Sequence, residues 1–239
     1  GASGGAGTIV GMEFSGEVVE FGNDVKGYSV GDRVMCSGSS AWAEYAVADH
    51  GRVIKIPNNN MDYLKASTYP IALATMHNAI LTVGNFTKGQ SILIQGASSG
   101  VGLMGLQIAK HLEAKIVIGT STKANKFEKL KSLGADLVLN SKDSDWVNQV
   151  LSATDGQGVD LVVDQLSGFT VNQNMQATKI KGKIVNVGRL AGGTTDFNCD
   201  IHALRRINYE GVTFRTRSID EIRDVYSKMW NDFEKLVVS

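Results

Sequence analysis

The segment Gly96-Ala97-Ser98-Ser99-Gly100-Val101-Gly102, here called the glycine loop, lies between an aliphatic run and a helical pattern. A dinucleotide pyrophosphate binds at such a strand-to-helix turn, because small residues let the phosphates approach the main chain and the helix N-terminus presents unpaired N–H groups. Gly102 permits close packing of the helix on the strand. The loop departs from the usual G-x-G-x-x-G pattern at Ala97 and Ser98, and a tight turn without a ligand is the alternative.

The next aliphatic run ends in Ile118-Gly119-Thr120-Ser121-Thr122-Lys123. An NAD-specific site places Asp or Glu about 20 residues beyond the glycine loop, on the ribose hydroxyls, and this sequence has no acid there. The Ser121 hydroxyl and the Lys123 and Lys126 cations could receive a 2′-phosphate, which a carboxylate would repel. These residues favour NADPH, although each lysine taken singly also fits the solvated face of a helix start.

The composition is that of a globular protein, with 43% hydrophobic and 20% charged residues in a chain of 239. Lys+Arg and Asp+Glu both number 24, and no long basic run offers a nucleic-acid footprint. Cys36 and Cys199 are too few for a disulfide framework, which predicts a reducing, cytoplasmic compartment. Neither a signal peptide nor an apolar run of about 18–20 residues is present, so neither secretion nor a membrane span is expected.

The N-terminal part, from residue 8 to about residue 56, consists of short alternating runs separated by glycines, which predict antiparallel strands. The runs are TIVGMEFSGEVVEFG, VGDRVMC, WAEYAVA and GRVIKIP. Residues 58–86 have a helical pattern, with a loop at Asn58 to Asn60 and a break at Pro70.

From Ser91 onward aliphatic runs alternate with helical patterns, and the runs are SILIQ, KIVIGTS, DLVLN, VDLVVDQL and GKIVNVG. Runs without alternation suit strands buried on both faces, and the helices between them supply crossovers. The fold class is therefore α/β, with a doubly wound parallel sheet. Helices are expected at 100–112, 123–133, 144–153 and 169–179, and the closing run DEIRDVYSKMWNDFEKLVV predicts an amphipathic helix.

Five segments resemble, in order, the motifs of the medium-chain dehydrogenase/reductases, and within them the zinc-free quinone oxidoreductase and enoyl reductase branch. They are Gly11-Met12-Glu13-Phe14-Ser15-Gly16-Glu17-Val18-Val19, Val30-Gly31-Asp32-Arg33-Val34, Ala43-Glu44-Tyr45-Ala46, the glycine loop and Ser132-Leu133-Gly134-Ala135-Asp136. The resemblance covers nearly the whole chain. It implies a partial GroES-like β substrate domain at residues 1–68, a Rossmann dinucleotide-binding domain at 69–216 and a helix at 217–239 returning toward the substrate domain, with the active site in the cleft between the domains.

The resemblance also implies roles for residues outside the glycine loop. It places Thr75, in Ala72-Leu73-Ala74-Thr75-Met76, beside the nicotinamide, and Asn186-Val187-Gly188 at the strand end that contacts the cofactor. The alternatives are a helix-interior threonine that bonds its own backbone and an ordinary strand-to-loop turn. Tyr45 is a candidate proton donor, with a core position on a strand as the alternative.

The zinc branch of the family holds its catalytic metal on a His in the first segment and a Cys near the start of the linking helix. Met12 and Ile71 stand at those places, and neither a thioether nor an alkyl group replaces the ligand. Cys199 and His202 have a ligand-like spacing, but one pair cannot complete a tetrahedral site. The four-cysteine structural lobe is absent and the remaining histidines occur singly, so no metal is predicted.

Without a Lewis acid, hydride delivery to a quinone or an activated C=C bond needs mostly positioning and hydrogen bonds to the acceptor oxygen, whereas alcohol oxidation is hard. The prediction is an NADPH-dependent reductase of quinones or α,β-unsaturated carbonyl compounds, with a small-molecule substrate, no nucleic-acid or membrane partner, and a homodimer left open. The alternatives are a non-catalytic NADPH-binding or structural member of the family and a zinc-type alcohol dehydrogenase. Compared with the family the chain lacks roughly 40–60 initial and about 40 final residues, so a fragment is expected.

Overall fold

The computed structural model describes residues 7–57 and 61–238. Contacts divide the chain into two compact units, and the division falls inside the helical region that follows residue 60. The first unit comprises Gly1–Ala74 and Phe214–Ser239, and the second comprises Thr75–Thr213. In the described residues no helix is long and apolar enough to span a bilayer.

The first unit contains a three-stranded antiparallel sheet in the order β1-β2-β3. Its strands are β1 (Glu13–Glu17), β2 (Arg33–Ser37) and β3 (Val53–Lys55). β2 lies in the middle, and its Met35 and Cys36, whose side chains point to opposite faces of the sheet, are both buried. Three of the four runs predicted as strands thus pair as expected, over shorter lengths than the sequence pattern indicated.

The run from Trp42 to Ala48, which the sequence predicts as a strand, forms none. The Trp42 N–H donates to Val10 O at 2.9 Å. Within the described residues the backbone pairing ends there, so residues 43–48 lack the neighbouring strand that a ladder requires. Alternation of side chains was therefore an insufficient signal for a strand here.

Helices α1 (Tyr63–Ala66) and α2 (Pro70–His77) follow, and a π-helical stretch (Asn78–Val83) continues α2. Asp62 caps α1 by accepting the Lys65 N–H at 2.6 Å. Pro70 opens α2, where the absence of an N–H carries no penalty, so the predicted break at this residue is confirmed.

The same unit holds the last helix, α8 (Ile219–Val238), which confirms the amphipathic helix predicted at the end of the chain. Arg223 forms a forked pair with Asp49, with Nε–Oδ1 at 2.9 Å and NH2–Oδ2 at 2.6 Å. The buried Tyr226 hydroxyl donates to Ser37 Oγ on β2. These contacts fix α8 against the small sheet.

The second unit is a six-stranded, wholly parallel sheet in the order β6-β5-β4-β7-β8-β9. Its strands are β4 (Ser91–Gln95), β5 (Ile116–Thr120), β6 (Leu137–Leu139), β7 (Val159–Asp164), β8 (Thr178–Asn186) and β9 (Asn208–Gly211). The connecting helices are α3 (Gly100–His111), α4 (Phe127–Ser132), α5 (Trp146–Ala153), α6 (Val171–Ala177) and α7 (Cys199–Arg205). This strand order is that of the Rossmann fold, which confirms the predicted α/β doubly wound class.

The middle strands carry the core of this unit. Leu93, Ile118, Val162 and Ile184 are completely buried on four neighbouring strands, as expected for aliphatic runs covered on both faces. The sixth strand, β9, was not predicted, because its sequence Asn-Tyr-Glu-Gly is mostly polar and lies at the sheet edge. The order of strands reverses between β4 and β7, and a ligand crevice forms at such a point.

Candidate functional site

The glycine loop connects β4 with α3 at the carboxyl edge of the parallel sheet. Two backbone amides anchor it to β5, since the Gly96 N–H donates to Thr120 Oγ1 at 3.0 Å and the Ala97 N–H donates to Thr120 O at 2.9 Å. Ser99 is the N-cap of α3, and its Oγ accepts the Gly102 N–H at 3.0 Å. The loop is therefore held by the protein before any ligand arrives.

The first two amides of α3 are available to an anion. In the part of the chain that the structure describes, the N–H groups of Gly100 and Val101 have no acceptor, as expected at a helix N-terminus. A Cβ built on Gly100 would meet no atom within 4 Å, so open space adjoins this turn. Unpaired N–H groups beside open space fit the pyrophosphate of a dinucleotide.

Gly102 is required by packing within the protein. A Cβ at this position would lie 2.6 Å from Ala97 Cα and 2.7 Å from Gly96 O. Any side chain at this position would therefore push α3 away from the glycine loop. The glycine permits the close approach of helix and strand that the sequence predicts.

Ser121, directly after β5, is only 3% exposed. Its Oγ accepts the Lys123 N–H at 3.2 Å and lies 3.0 Å from Ser98 Oγ. Since Ser98 Oγ is the only acceptor for the Ser121 hydroxyl hydrogen among the described residues, Ser121 donates to Ser98. Among the described residues the half-buried Ser98 hydroxyl has no acceptor for its own hydrogen, so Ser98 can donate that hydrogen to a ligand.

The two lysines predicted at this end of the site lie next to one another on the turn after β5. Lys123 is exposed, and Lys126 is half-buried in a short 3-10 turn. Within residues 7–57 and 61–238, neither ammonium group has a carboxylate partner. Ser98, Lys123 and Lys126 therefore offer hydrogen-bond donors with no competing acid, which suits a group that only accepts, such as a phosphate.

Gln165, which the sequence analysis did not single out, links the glycine loop to β7. Its Nε2 donates to Gln95 O at 3.1 Å, and its Oε1 accepts from Ser99 Oγ at 2.9 Å. The side chain is 4% exposed, so both ends of the amide are used inside the protein. The one sequence signal for it is its place directly after a strand that adjoins β4, where the strand order reverses.

Asp164, the last residue of β7, is completely buried. Its Oδ1 accepts the N–H groups of Leu166 at 2.8 Å and Ser167 at 2.9 Å. Among the described residues its Oδ2 has no hydrogen-bond partner. Burial raises the pKa of this carboxyl above its usual range, and the backbone N–H groups of Ser167 and Leu166, together with the side-chain amide of Asn174, only partly offset that effect. The sequence analysis missed this residue, because an acid at a strand end gives no pattern of its own.

Val187 and Gly188, predicted to contact the cofactor, follow β8 and are half-buried. Their N–H groups donate to the same acceptor, Asp164 O, at 2.8 and 3.1 Å. A Cβ at Gly188 would lie 2.6 Å from Gln165 O, so the glycine is needed for the approach of this segment to the loop after β7. Both backbone N–H groups are therefore used in hydrogen bonds within the protein.

The two predicted catalytic residues lie in different surroundings. Thr75 is a half-buried residue of α2, and in the described chain its hydroxyl has no hydrogen-bond partner, so the alternative of a threonine bonded to its own backbone is not what is observed. Tyr45 lies outside the strands and is 75% exposed, lining an open cavity of about 1530 Å³ in the first unit. Its expected alternative, a core position on a strand, is wrong.

The sequence of this chain matches two family models. Residues 100–233 match the zinc-binding dehydrogenase model, and residues 3–58 match the alcohol dehydrogenase GroES-like domain. The chain belongs to the medium-chain dehydrogenase/reductase family of oxidoreductases, whose members use a nicotinamide cofactor.

Individual proteins show the same relationship. A highly reducing polyketide synthase, gloL, of Glarea lozoyensis is 30% identical over 156 residues, which are 64% of this chain and 6% of that protein. An alcohol dehydrogenase superfamily protein from Novosphingobium aromaticivorans has a TM-score of 0.85 and 27% identity, covering 96% of this chain and 69% of that one. CurK enoyl reductase, at 22% identity and a TM-score of 0.81, covers 94% and 66% and shares the fold.

The matching family model is named for zinc, and a protein-bound zinc ion needs a cluster of His, Cys, Asp or Glu ligands. In the described residues no three His, Cys, Asp or Glu side chains come together. Met12 is 64% exposed, and Ile71 contributes its N–H to Glu13 Oε2 at 3.0 Å. The side chains at these positions therefore do not fit a zinc ion.

Proposed function

We propose that this chain is an NADPH-dependent reductase that delivers hydride to a quinone or an α,β-unsaturated carbonyl compound without a metal. The observation that carries the proposal is a set of hydrogen-bond donors, formed by Ser98 in the glycine loop and by Lys123 and Lys126 after β5, that has no carboxylate partner among the described residues. Membership of the family makes the protein an oxidoreductase. The hydrogen-bond donors favour NADPH as the cofactor, and the lack of zinc ligands at Met12 and Ile71 favours reduction of a conjugated carbonyl or quinone.

The cofactor's phosphates are assigned to two groups of residues. The pyrophosphate lies on the free amides of Gly100 and Val101, where the helix dipole favours negative charge. The 2′-phosphate receives the Ser98 hydroxyl, oriented by Ser121, and the two lysine cations. A carboxylate in place of Ser121 would repel that phosphate and would accept from a ribose hydroxyl instead.

Reduced nicotinamide, when bound, supplies the hydride. We assign the segment of Val187 and Gly188 to the edge of its site and the Thr75 hydroxyl, which has no hydrogen-bond partner among the described residues, to holding it. Tyr45 is kept as a candidate proton donor, although its exposure gives it no fixed orientation. A conjugated carbonyl or quinone fits this chemistry, because its acceptor oxygen takes up charge that hydrogen bonds stabilise without a Lewis acid. The name of the gloL relative, a highly reducing polyketide synthase, agrees with a reduction and not with an alcohol oxidation.

The deciding experiment measures NADPH binding and NADPH oxidation with a panel of small quinones and 2-enoyl thioesters. Turnover with at least one of these acceptors supports the proposal. Tight NADPH binding without turnover on the whole panel would favour a non-catalytic NADPH-binding protein, and oxidation of simple alcohols with NADP⁺ would favour the alcohol dehydrogenase alternative. A cytoplasmic location stays a prediction from the sequence, which leaves a homodimer open.

A further inference from the structure

The loop between β7 and α6 contains a serine in a backbone conformation that side chains rarely adopt. Ser167 has φ 56° and ψ −147°. This region is occupied almost only by glycine, because a Cβ is crowded there, and such strain persists only where the surroundings hold it. The next residue, Gly168, also has a positive φ, of 54°. The turn therefore has two successive residues in a conformation that favours glycine, and the first of them is a serine.

The Ser167 side chain connects the two loops at the carboxyl edge of the sheet. Its hydroxyl donates to Gly188 O at 2.8 Å and accepts from the side-chain amide of Asn186. Its own N–H donates to Asp164 Oδ1 at 2.9 Å. The residue is 7% exposed, so these bonds are made away from bulk water, where the loss of one partner is costly.

Gly188 is held on both sides by this arrangement. Its N–H donates to Asp164 O at 3.1 Å, and its carbonyl accepts from Ser167. A Cβ on Gly188 would collide with Gln165 O, so the segment after β8 lies directly against the loop after β7. The Ser167 hydroxyl therefore fixes the direction of the Gly188 peptide.

We propose that Ser167 is a positioning residue, whose hydroxyl holds Val187 and Gly188 in the orientation that receives the bound cofactor. The inference rests on the proposed function, because it takes these two residues as cofactor contacts. Glycine at position 167 would reach the same backbone conformation without strain. The hydroxyl bond to Gly188 is what serine adds there, and it accounts for the strained residue.

Two substitutions separate strain from the hydroxyl bond. Ser167→Ala keeps the Cβ and removes the hydroxyl, and Ser167→Gly removes both. We expect the glycine variant to melt several degrees, roughly 4, above the alanine variant, since only alanine retains the strain. We expect both variants to bind NADPH about tenfold more weakly than the parent and by the same factor, because both lack the same bond.

Ser167→Thr supplies the rescue test, since it keeps the hydroxyl and increases crowding. We expect it to melt below the parent while its NADPH affinity stays within about threefold of the parent. As a matched control, Asp155 has φ 54° on an exposed turn at the opposite end of β7, and its glycine and alanine variants should differ in melting temperature but not in NADPH affinity.

Fluorescence titration with NADPH and thermal melting on the same samples give the result. If the affinity of the variants follows their melting temperature, so that glycine loses less than alanine, Ser167 has only a structural role and the inference is overturned. Variants with unchanged affinity also overturn it, while the proposed function stands. A parent that binds no NADPH overturns both.

Discussion

The hydroxyl of Ser121 lies 3.0 Å from the hydroxyl of Ser98, and this contact joins the end of β5 to the glycine loop. Ser121 is almost completely buried and also accepts the Lys123 N–H, so its hydrogen goes to Ser98. At this end of the proposed cofactor site Ser121 therefore orients the Ser98 hydroxyl, and Ser98 is the serine that would donate to the cofactor.

The first prediction concerns cofactor choice. NADPH should bind at least about tenfold tighter than NADH, because a phosphate gains charge-assisted bonds at Ser98 and the lysines, and salt should reduce the difference. Ser98→Ala should weaken NADPH by about tenfold with little effect on NADH. Ser121→Asp should lower or invert the ratio, because its carboxylate repels a 2′-phosphate. Titration of both cofactors on the three proteins checks this, and equal affinities in the parent would contradict it.

The second prediction separates ligand space from packing at two neighbouring glycines. Gly100→Val adds atoms only to open space, so the variant should remain folded and lose dinucleotide affinity by crowding the pyrophosphate. Gly102→Ala should instead destabilise the protein by about 1–3 kcal/mol, because the new methyl group overlaps Ala97. Urea unfolding and cofactor titration are measured on both. Unchanged affinity in a folded Gly100→Val protein would mean that the loop does not bind the pyrophosphate.

The third prediction is that reductase activity does not depend on a metal. Extensive dialysis against a strong chelator should leave NADPH oxidation unchanged, because Met12 and Ile71 provide no ligand and the described residues contain no other ligand cluster. Metal content by mass spectrometry is measured alongside the rate. One zinc per chain, with activity lost on its removal and restored on its return, is the contrary result.

The fourth prediction concerns the pH dependence of stability. Burial raises the pKa of Asp164 in the folded protein, so the folded state binds its proton more tightly than the unfolded chain does. Stability should therefore fall as pH rises from the ordinary value of 3.8 through the folded pKa, and change no further above it.

Asp164→Asn keeps the oxygen that accepts two backbone amides and removes the titration. The variant should lose this pH dependence and be less destabilised, relative to the parent, at neutral pH than at acid pH. Urea unfolding across the acid-to-neutral range measures this, with Asp155→Asn on an exposed turn as the control. A parent whose stability rises with pH through that range, with the rise lost in the Asp164 variant, would mean that the folded pKa is lowered.

Local patterns in the sequence were enough to predict the parallel sheet and the glycine loop. The aliphatic runs SILIQ and VDLVVDQL lie in β4 and β7, and the small residues from Gly96 to Gly102 do form the turn into α3. Periodicity and residue size are properties of neighbouring residues, so they can be read without knowing what lies across the fold. The edge strand β9 was missed for the same reason, since it has no apolar run.

Which polar groups meet was decided by the tertiary structure. Ser98, Ser99 and Ser121 have the same side chain, yet Ser99 caps α3, Ser121 is buried, and of the three only Ser98 has a hydroxyl hydrogen without an acceptor among the described residues. Likewise the contacts of Gln165 and Ser167 depend on β7 lying beside β4 and β8, which are distant in sequence. A hydrogen bond requires two atoms to meet at a set distance and angle, and that geometry arises only when the strands are assembled. The sequence determined where the glycine loop would be, and the packing of the sheet determined which side chains contact it.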